Sequence, residues 1–195
     1  MLVMKNETKE KGRRLLRPFV QFLIKLGVTP TAVTVAALPL SVLAALLFAR
    51  GLFFWAGLLI SLIGLCDTLD GEVSRQSGRV SSAGAFIDST VDRITEGVVL
   101  LGVAWYYLSL GSWIVLLVTG TLFLSLMVSY VRARAEGTGK ECQVGIFERP
   151  VRVGIMVAGA LILGRSYFVI ALMVIAIGSF ITFIHRLIYV LRQYH

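Results

Sequence analysis

The sequence predicts an all-α integral membrane protein: six transmembrane helices preceded by an amphipathic helix at the membrane interface. Three observations carry this. The chain has 195 residues, 57% of them hydrophobic and only 15% charged, whereas a soluble domain carries about 25% charged residues. Uncharged runs are long: Leu26–Ala49 gives 24 residues, Gly97–Val131 gives 35 and Ser166–His185 gives 20 with His185 neutral. A span needs about 20 predominantly apolar residues, and the longest run holds parts of two helices around a turn. Finally, the basic residues fall on one side of the alternating spans, as cytoplasmic loops require. The length suits one membrane domain, residues 29–195, behind a cytoplasmic N-terminal segment, residues 1–28.

The elements follow in order. Residues 1–12 are polar and charged, and the first 25 residues show no apolar core followed by the small-residue cleavage site expected of a signal peptide. From Arg13, Leu15, Phe19, Phe22 and Leu26 share one helical face and Arg13, Arg14, Arg17, Gln21 and Lys25 the other. That pattern places a helix in the headgroup layer. Thr29-Pro30 supplies an N-cap and a first-turn proline, opening a first span to about Ala49 with Pro39 as a kink point. A second span runs from Gly51 to about Arg75, a loop covers Gln76–Ser82, and a third span continues to Leu108. Gly111 turns into a fourth, about Trp113–Ala135, and the glycine-containing stretch Glu136–Val144 is the longest internal loop. A fifth span covers about Phe147–Leu163 and a sixth Ser166–Val190, with Gly164 between them.

Sixteen of the nineteen Lys and Arg residues fall on one side of this arrangement and two, Arg50 and Arg165, on the other, with Arg93 inside a helix. Both termini are therefore expected in the cytoplasm of a multi-pass cell-membrane protein. The net charge of +8 is accounted for by that bias and by anionic lipid headgroups, with no nucleic acid needed. Cys66 and Cys142 lie in different segments without a CxxC or Cys/His cluster and carry neither a metal nor a disulfide argument.

Six of the eleven acids, Asp67, Asp70, Glu72, Asp88, Asp92 and Glu96, sit in the second and third spans. A carboxylate there costs at least about 2.5 kcal/mol at mid-bilayer and needs a partner or a polar cavity. Asp67 and Asp70 share a helix face at i, i+3, and Asp88 and Asp92 do so at i, i+4. The short connection makes the helices antiparallel neighbours, so the acidic faces meet near the cytoplasmic end. Four clustered carboxylates cannot all stay ionised uncompensated. Ion pairs with Arg75 and Arg93 are too few for six acids; Mg²⁺ or Mn²⁺, as two ions with phosphate completing the coordination, suits oxygen ligands. Gly71 and Gly84 fit either close helix packing or a ligand pressed against the backbone.

Residues 67–92, DTLDGEVSRQSGRVSSAGAFIDSTVD, resemble the signature of the CDP-alcohol phosphatidyltransferase family, D-x2-D-G-x2-A-R-x8-G-x3-D-x3-D. Asp67, Asp70, Gly71, Arg75, Gly84, Asp88 and Asp92 match in identity and spacing, and Ser74 replaces the usual alanine. The resemblance implies a six-span membrane enzyme in which an acceptor hydroxyl displaces CMP from CDP-diacylglycerol or CDP-archaeol. It implies that Asp67, Asp70, Asp88 and Asp92 hold the metal, with Asp92 also the general base. It implies that Thr34, Asp67, Asp70, Gly71, Ser74, Arg75 and Gly84 bind the CDP-lipid. It also implies a homodimer. Thr31 stands where many members have Asn or Asp.

Residues 129–137, SYVRARAEG, residues 145–149, GIFER, and Arg186 resemble the phosphatidylinositol-phosphate synthase branch of that family, including its archaeal-lipid counterpart. On that resemblance Arg132, Arg149 and Arg186, with Arg152 beside them, bind the phosphate of a phosphorylated polyol. Arginine clamps phosphate bidentately, although positive-inside bias also puts arginines at helix ends. Inositol 1-phosphate is the expected acceptor and glycerol 3-phosphate the alternative. A divalent-cation transporter and a scaffold protein are the readings from other classes; neither requires Gly71, Arg75 and Gly84 at these spacings.

Overall fold

The structure is a computed structural model and describes residue 21 and residues 29–77 and 81–194; for residues 30, 70–72 and 74–77 it describes the backbone. The expected interfacial helix over residues 13–26 lies outside the described residues apart from residue 21, which is helical. Those described form six α-helices and no strand: α1 (Pro30–Ala49), α2 (Phe53–Ser77), α3 (Ser82–Tyr107), α4 (Ser112–Gly137), α5 (Arg149–Ala158) and α6 (Gly164–Leu191). A π-helical turn, Gly159–Leu163, links the last two.

Local sequence sets the ends. Thr29 caps α1, its side-chain oxygen accepting from the Ala32 N–H at 3.3 Å, and Ser81 caps α3 by accepting from the Gly84 N–H at 3.0 Å. Each satisfies an N–H that the first turn leaves without an intrahelical acceptor. α1 continues through Pro39 to Ala49. Gly51 and Gly111 adopt positive φ in the connections that follow α1 and α3, a backbone conformation glycine reaches without steric cost.

Among the described residues, three apolar stretches are long enough to cross a membrane: Thr31–Ala49, Ser112–Gly137 and Arg149–Leu191. The last is 43 residues but doubles back. A Cβ at Gly159 would lie 3.3 Å from the Phe168 ring and against Ala171 Cβ, whereas residues 159 and 171 of one straight helix lie about 18 Å apart. Gly164, with φ +60°, makes that reversal. In α2 the apolar part is shorter, Phe53–Leu69, and α3 falls short because it carries Asp88, Asp92, Arg93 and Glu96.

The core sits toward the end of the bundle away from those acids. Phe53 stacks on Phe48 and Phe168 with ring centroids 5.0 Å from each, and on Tyr106 at 4.9 Å, edge-to-face geometries that aromatic quadrupoles favour. Asp67 is 14 residues further along α2, about 21 Å away along its axis. Large apolar side chains also face outward on the helices, among them Leu62, Leu101, Leu116 and Ile177.

α1 and α3 cross at Gly102, where a Cβ would collide with the backbone of Ala45. Gly102→Ala is expected to lower the thermal midpoint by an amount corresponding to about 1–3 kcal/mol, the usual cost of overpacking. Gly120→Ala in α4, where a Cβ meets nothing within 4 Å, should leave the midpoint unchanged or raise it. Thermal unfolding of the detergent-purified variants checks both.

Candidate active site

The acids that the sequence sets one turn apart do converge. α2 presents Asp67 and α3 presents Asp88 and Asp92, and ligand oxygens of the three half-buried side chains all lie within 4.8 Å of one another. Thr34 of α1, nearly buried, lines a narrow gap with Asp67 and Asp92. Asp70, Gly71, Ser74 and Arg75 occupy the last turns of α2, with their side chains outside the described set. Gly84 lies in the first turn of α3, where an added Cβ would meet only the capping Ser81 hydroxyl.

This donor set fits a hard divalent cation. It is all carboxylate oxygen, it is drawn from two helices, and Asp88 Oδ1 is buried without a hydrogen-bond partner among the described residues. An acceptor atom with nothing to accept is costly unless a proton donor or a cation supplies the missing interaction.

Among the described residues, the cation in contact with the acids is Arg149, the first residue of α5. Its Nη1 lies 2.6 Å from Asp92 Oδ1 and 3.1 Å from Asp67 Oδ2, and its Nη2 donates to Thr95 Oγ1 at 3.3 Å. Arg93, weighed in the sequence as a structural partner of the acids, donates to the Ser89 carbonyl one turn back and acts on Asp88 and Asp92 through space. The residue grouped with the acceptor site therefore stands among the metal-site carboxylates.

The other three arginines separate. Arg132 is half-exposed at the end of α4, with Nε 2.9 Å from Glu136 Oε1 and Nη1 3.8 Å from Glu148 Oε1. Arg186 reaches the same Glu148 oxygen with Nη2 at 3.2 Å, while its Nε and Nη1 donate to the Val144 and Val128 carbonyls, each at 2.8 Å. Arg152 departs from the expectation of a phosphate ligand. It is fully buried and forks onto Glu96, with Nε and Nη2 each donating over 2.8 Å to a carboxylate oxygen. Its Nη1 donates to the Phe147 carbonyl at 2.9 Å. Each guanidinium nitrogen is engaged inside the protein, so Arg152 pins α5 to α3.

The segment before α5 is held as firmly. The Phe147 N–H donates to Thr182 Oγ1 at 3.1 Å, and the Phe147 ring fills the space a side chain at Gly178 would need. At the chain's end, Lys140 Nζ donates to the Gln193 carbonyl at 2.8 Å, and Gln193 Nε2 donates to the Glu141 carbonyl at 2.7 Å. Thr95, Glu148 and Thr182 are the residues sequence reasoning missed. Glu96 stood among the acids that need a partner in an apolar helix, but the sequence did not pair it with Arg152.

Beyond Asp67 and Arg149, between α2, α3 and α5, opens a cavity of about 390 Å³ whose walls include Ile60, Ile63, Val99, Val153 and Met156. Gly64 and Gly154 also line it, and a Cβ at either would meet nothing within 4 Å.

Residues 27–184 match the CDP-alcohol phosphatidyltransferase family. The phosphatidylinositol phosphate synthase of Streptomyces avermitilis is 38% identical, covering 92% of this chain and 79% of that protein. The archaetidylinositol phosphate synthase of Methanothermobacter thermautotrophicus is 35% identical, covering 97% and 95%. A crystal structure of the Mycobacterium tuberculosis phosphatidylinositol phosphate synthase with CDP-DAG bound superimposes with a TM-score of 0.84 at 32% identity, covering 91% of this chain and 94% of that one. The same enzyme in complex with manganese and citrate gives 0.82 at 32% identity, covering 89% and 87%.

Removing one partner of the buried pair leaves an uncompensated charge. Glu96→Ala should destabilise the protein by about 3–5 kcal/mol, and the double replacement Glu96→Leu/Arg152→Met should recover most of it. Denaturation of the three proteins side by side checks this. A direct phosphate-binding role for Arg152 would instead leave stability nearly unchanged and raise the acceptor KM.

Proposed function

We propose that this chain, which belongs to the CDP-alcohol phosphatidyltransferase family, transfers the phosphatidyl or archaetidyl group of a CDP-lipid to a hydroxyl of inositol phosphate and releases CMP. The observation that carries the reading is the three-carboxylate cluster within 4.8 Å beside a second, arginine-lined cluster. One end of the site suits a metal-bound pyrophosphate and the other a phosphorylated alcohol. The Streptomyces and Methanothermobacter relatives are, by name, a phosphatidylinositol phosphate synthase and an archaetidylinositol phosphate synthase, which favours inositol phosphate over glycerol 3-phosphate. Lipid type, diacylglycerol or archaeol, differs between those two relatives.

Asp67, Asp88 and Asp92, with Asp70 from the same motif, are the proposed ligands for Mg²⁺ or Mn²⁺. When bound, such an ion supplies charge neutralisation at the pyrophosphate, which makes CMP a better leaving group and its phosphorus neighbour more electrophilic. The protein's own groups do the rest. Thr34, Gly71, Ser74, Arg75 and Gly84 are proposed to hold the cytidine diphosphate. Asp92 accepts the proton of the attacking hydroxyl as its oxygen bonds to the lipid-bound phosphorus and the bond to CMP breaks. A base in this role must lie within hydrogen-bond reach of that hydroxyl. Arg132 and Arg186, joined by Arg149, are the proposed acceptor-phosphate ligands; Arg152 acts by holding α5. The apolar cavity beside Asp67 suits an acyl or isoprenoid chain.

The six helices, the outward apolar side chains and the sixteen-to-two distribution of basic residues support a six-span protein. Both termini and the active site would then face the cytoplasm, with residues 1–28 along the interface ahead of the membrane domain. A homodimer through membrane helices accompanies this reading.

Purified protein with CDP-diacylglycerol and Mg²⁺ is expected to release CMP with inositol 1-phosphate at least tenfold faster than with glycerol 3-phosphate, serine or inositol. Asp92→Asn should bind the CDP-lipid yet lose CMP release by about 10²-fold or more, the range of a general-base contribution. Wild-type turnover in that variant removes Asp92 as base, and equal rates with glycerol 3-phosphate remove the acceptor assignment.

A further inference from the structure

Two adjacent residues at the start of α5 carry opposite charges into the two halves of the site. Arg149 stands among the acids, its Nη1 2.6 Å from Asp92 and 3.1 Å from Asp67. Glu148, the N-cap residue of α5, stands between the arginines, one oxygen 3.2 Å from Arg186 and 3.8 Å from Arg132. An arginine thus occupies the neighbourhood suited to a divalent cation, and a carboxylate occupies the neighbourhood suited to a phosphate.

The backbone that carries the pair is fixed on both sides. Phe147 is hydrogen-bonded to Thr182, and Arg152 is bound to Glu96 and to the Phe147 carbonyl. Exchange of partners at Glu148 and Arg149 is therefore a matter of side-chain rotation about a held turn. Arg149 is poorly anchored elsewhere: besides the two carboxylates it has the 3.3 Å contact to Thr95, and its Nε is buried with no hydrogen-bond partner among the described residues.

We propose that Glu148 and Arg149 are built-in counter-ions, and that their displacement couples divalent-cation binding to binding of the phosphorylated acceptor. A cation taking the oxygens of Asp67 and Asp92 releases the Arg149 guanidinium, which then adds donors for an acceptor phosphate next to Arg132 and Arg186. An acceptor phosphate takes the place of the Glu148 carboxylate at those arginines and draws Arg149 away from the aspartates. Each ligand removes the competitor of the other, so the two bind with positive, reciprocal coupling. The consequence for the reaction is order: the carboxylates are fully committed to the metal only when the acceptor is in place, which disfavours attack on the CDP-lipid by water. This rests on the assignment of the two clusters as metal and acceptor sites.

The test needs no turnover. Mn²⁺ binding to the full chain in detergent is measured by electron paramagnetic resonance without CDP-lipid, with and without saturating inositol 1-phosphate. The binding curves are corrected for Mn²⁺ held by the phosphate in solution. Inositol 1-phosphate is expected to tighten Mn²⁺ binding by about fivefold or more, the lower end of ordinary allosteric coupling. Mn²⁺ should tighten inositol 1-phosphate binding by the same factor. In Arg149→Met, Mn²⁺ should bind more tightly than in wild type when the acceptor is absent, and the acceptor should no longer change it. Tight but mutually independent binding of the two ligands to the wild-type protein overturns the coupling alone. Failure of Mn²⁺ to bind under either condition overturns the coupling together with the site assignment beneath it.

Discussion

Three carboxylates held within 4.8 Å of one another on two largely apolar helices are the constraint to which the surrounding structure answers. Ionised carboxylates repel at this range and are poorly solvated away from water, so the arrangement in its ionised form needs positive charge beside it. α5 supplies that charge through Arg149. The aim of Arg149 depends in turn on Arg152, three residues on, whose buried fork onto Glu96 fixes the start of α5 against α3. Phe147, anchored on Thr182 of α6, fixes it from the other side. The acids of the second and third helices thus dictate where the fifth begins.

The bundle divides its labour along its length. The end away from the acids is close-packed, with Phe48, Phe53, Tyr106 and Phe168 in edge contact and Gly102 laid against Ala45. Toward the acidic end a cavity of about 390 Å³ opens behind Asp67 and Arg149, with two glycines on its wall. A rigid apolar end lets the charged end hold groups whose mutual repulsion would otherwise spread the helices. Precise placement of a catalytic constellation generally rests on such a rigid support.

Much of this was legible in the sequence, and the reason differs by element. Helix positions followed from uncharged runs and from the Thr29-Pro30 cap, because both are local signals. The meeting of Asp67 with Asp88 and Asp92 followed from helical periodicity plus one short connection. The partners of the charges did not follow. Arg149 lies 82 residues from Asp67 and Arg152 lies 56 residues from Glu96, and helix ends rich in arginine are also what membrane orientation alone produces. Arg152 was therefore grouped with a phosphate site when its nitrogens are all engaged inside the protein. Glu148 sat unremarked inside the GIFER stretch, because its position between two arginines depends on how the loop before α5 folds back on α6.

The central claim is that the converging aspartates hold a divalent cation at the head of the lipid substrate. The most direct measurement is anomalous diffraction from crystals of this protein grown with Mn²⁺ and a CDP-lipid. The expected result is a manganese peak at coordination distance, about 2–2.5 Å, from carboxylate oxygens of Asp67, Asp88 and Asp92, with the pyrophosphate against it. A peak elsewhere in the protein, or Arg149 still between Asp67 and Asp92 at saturating Mn²⁺ with no metal beside it, would contradict the claim.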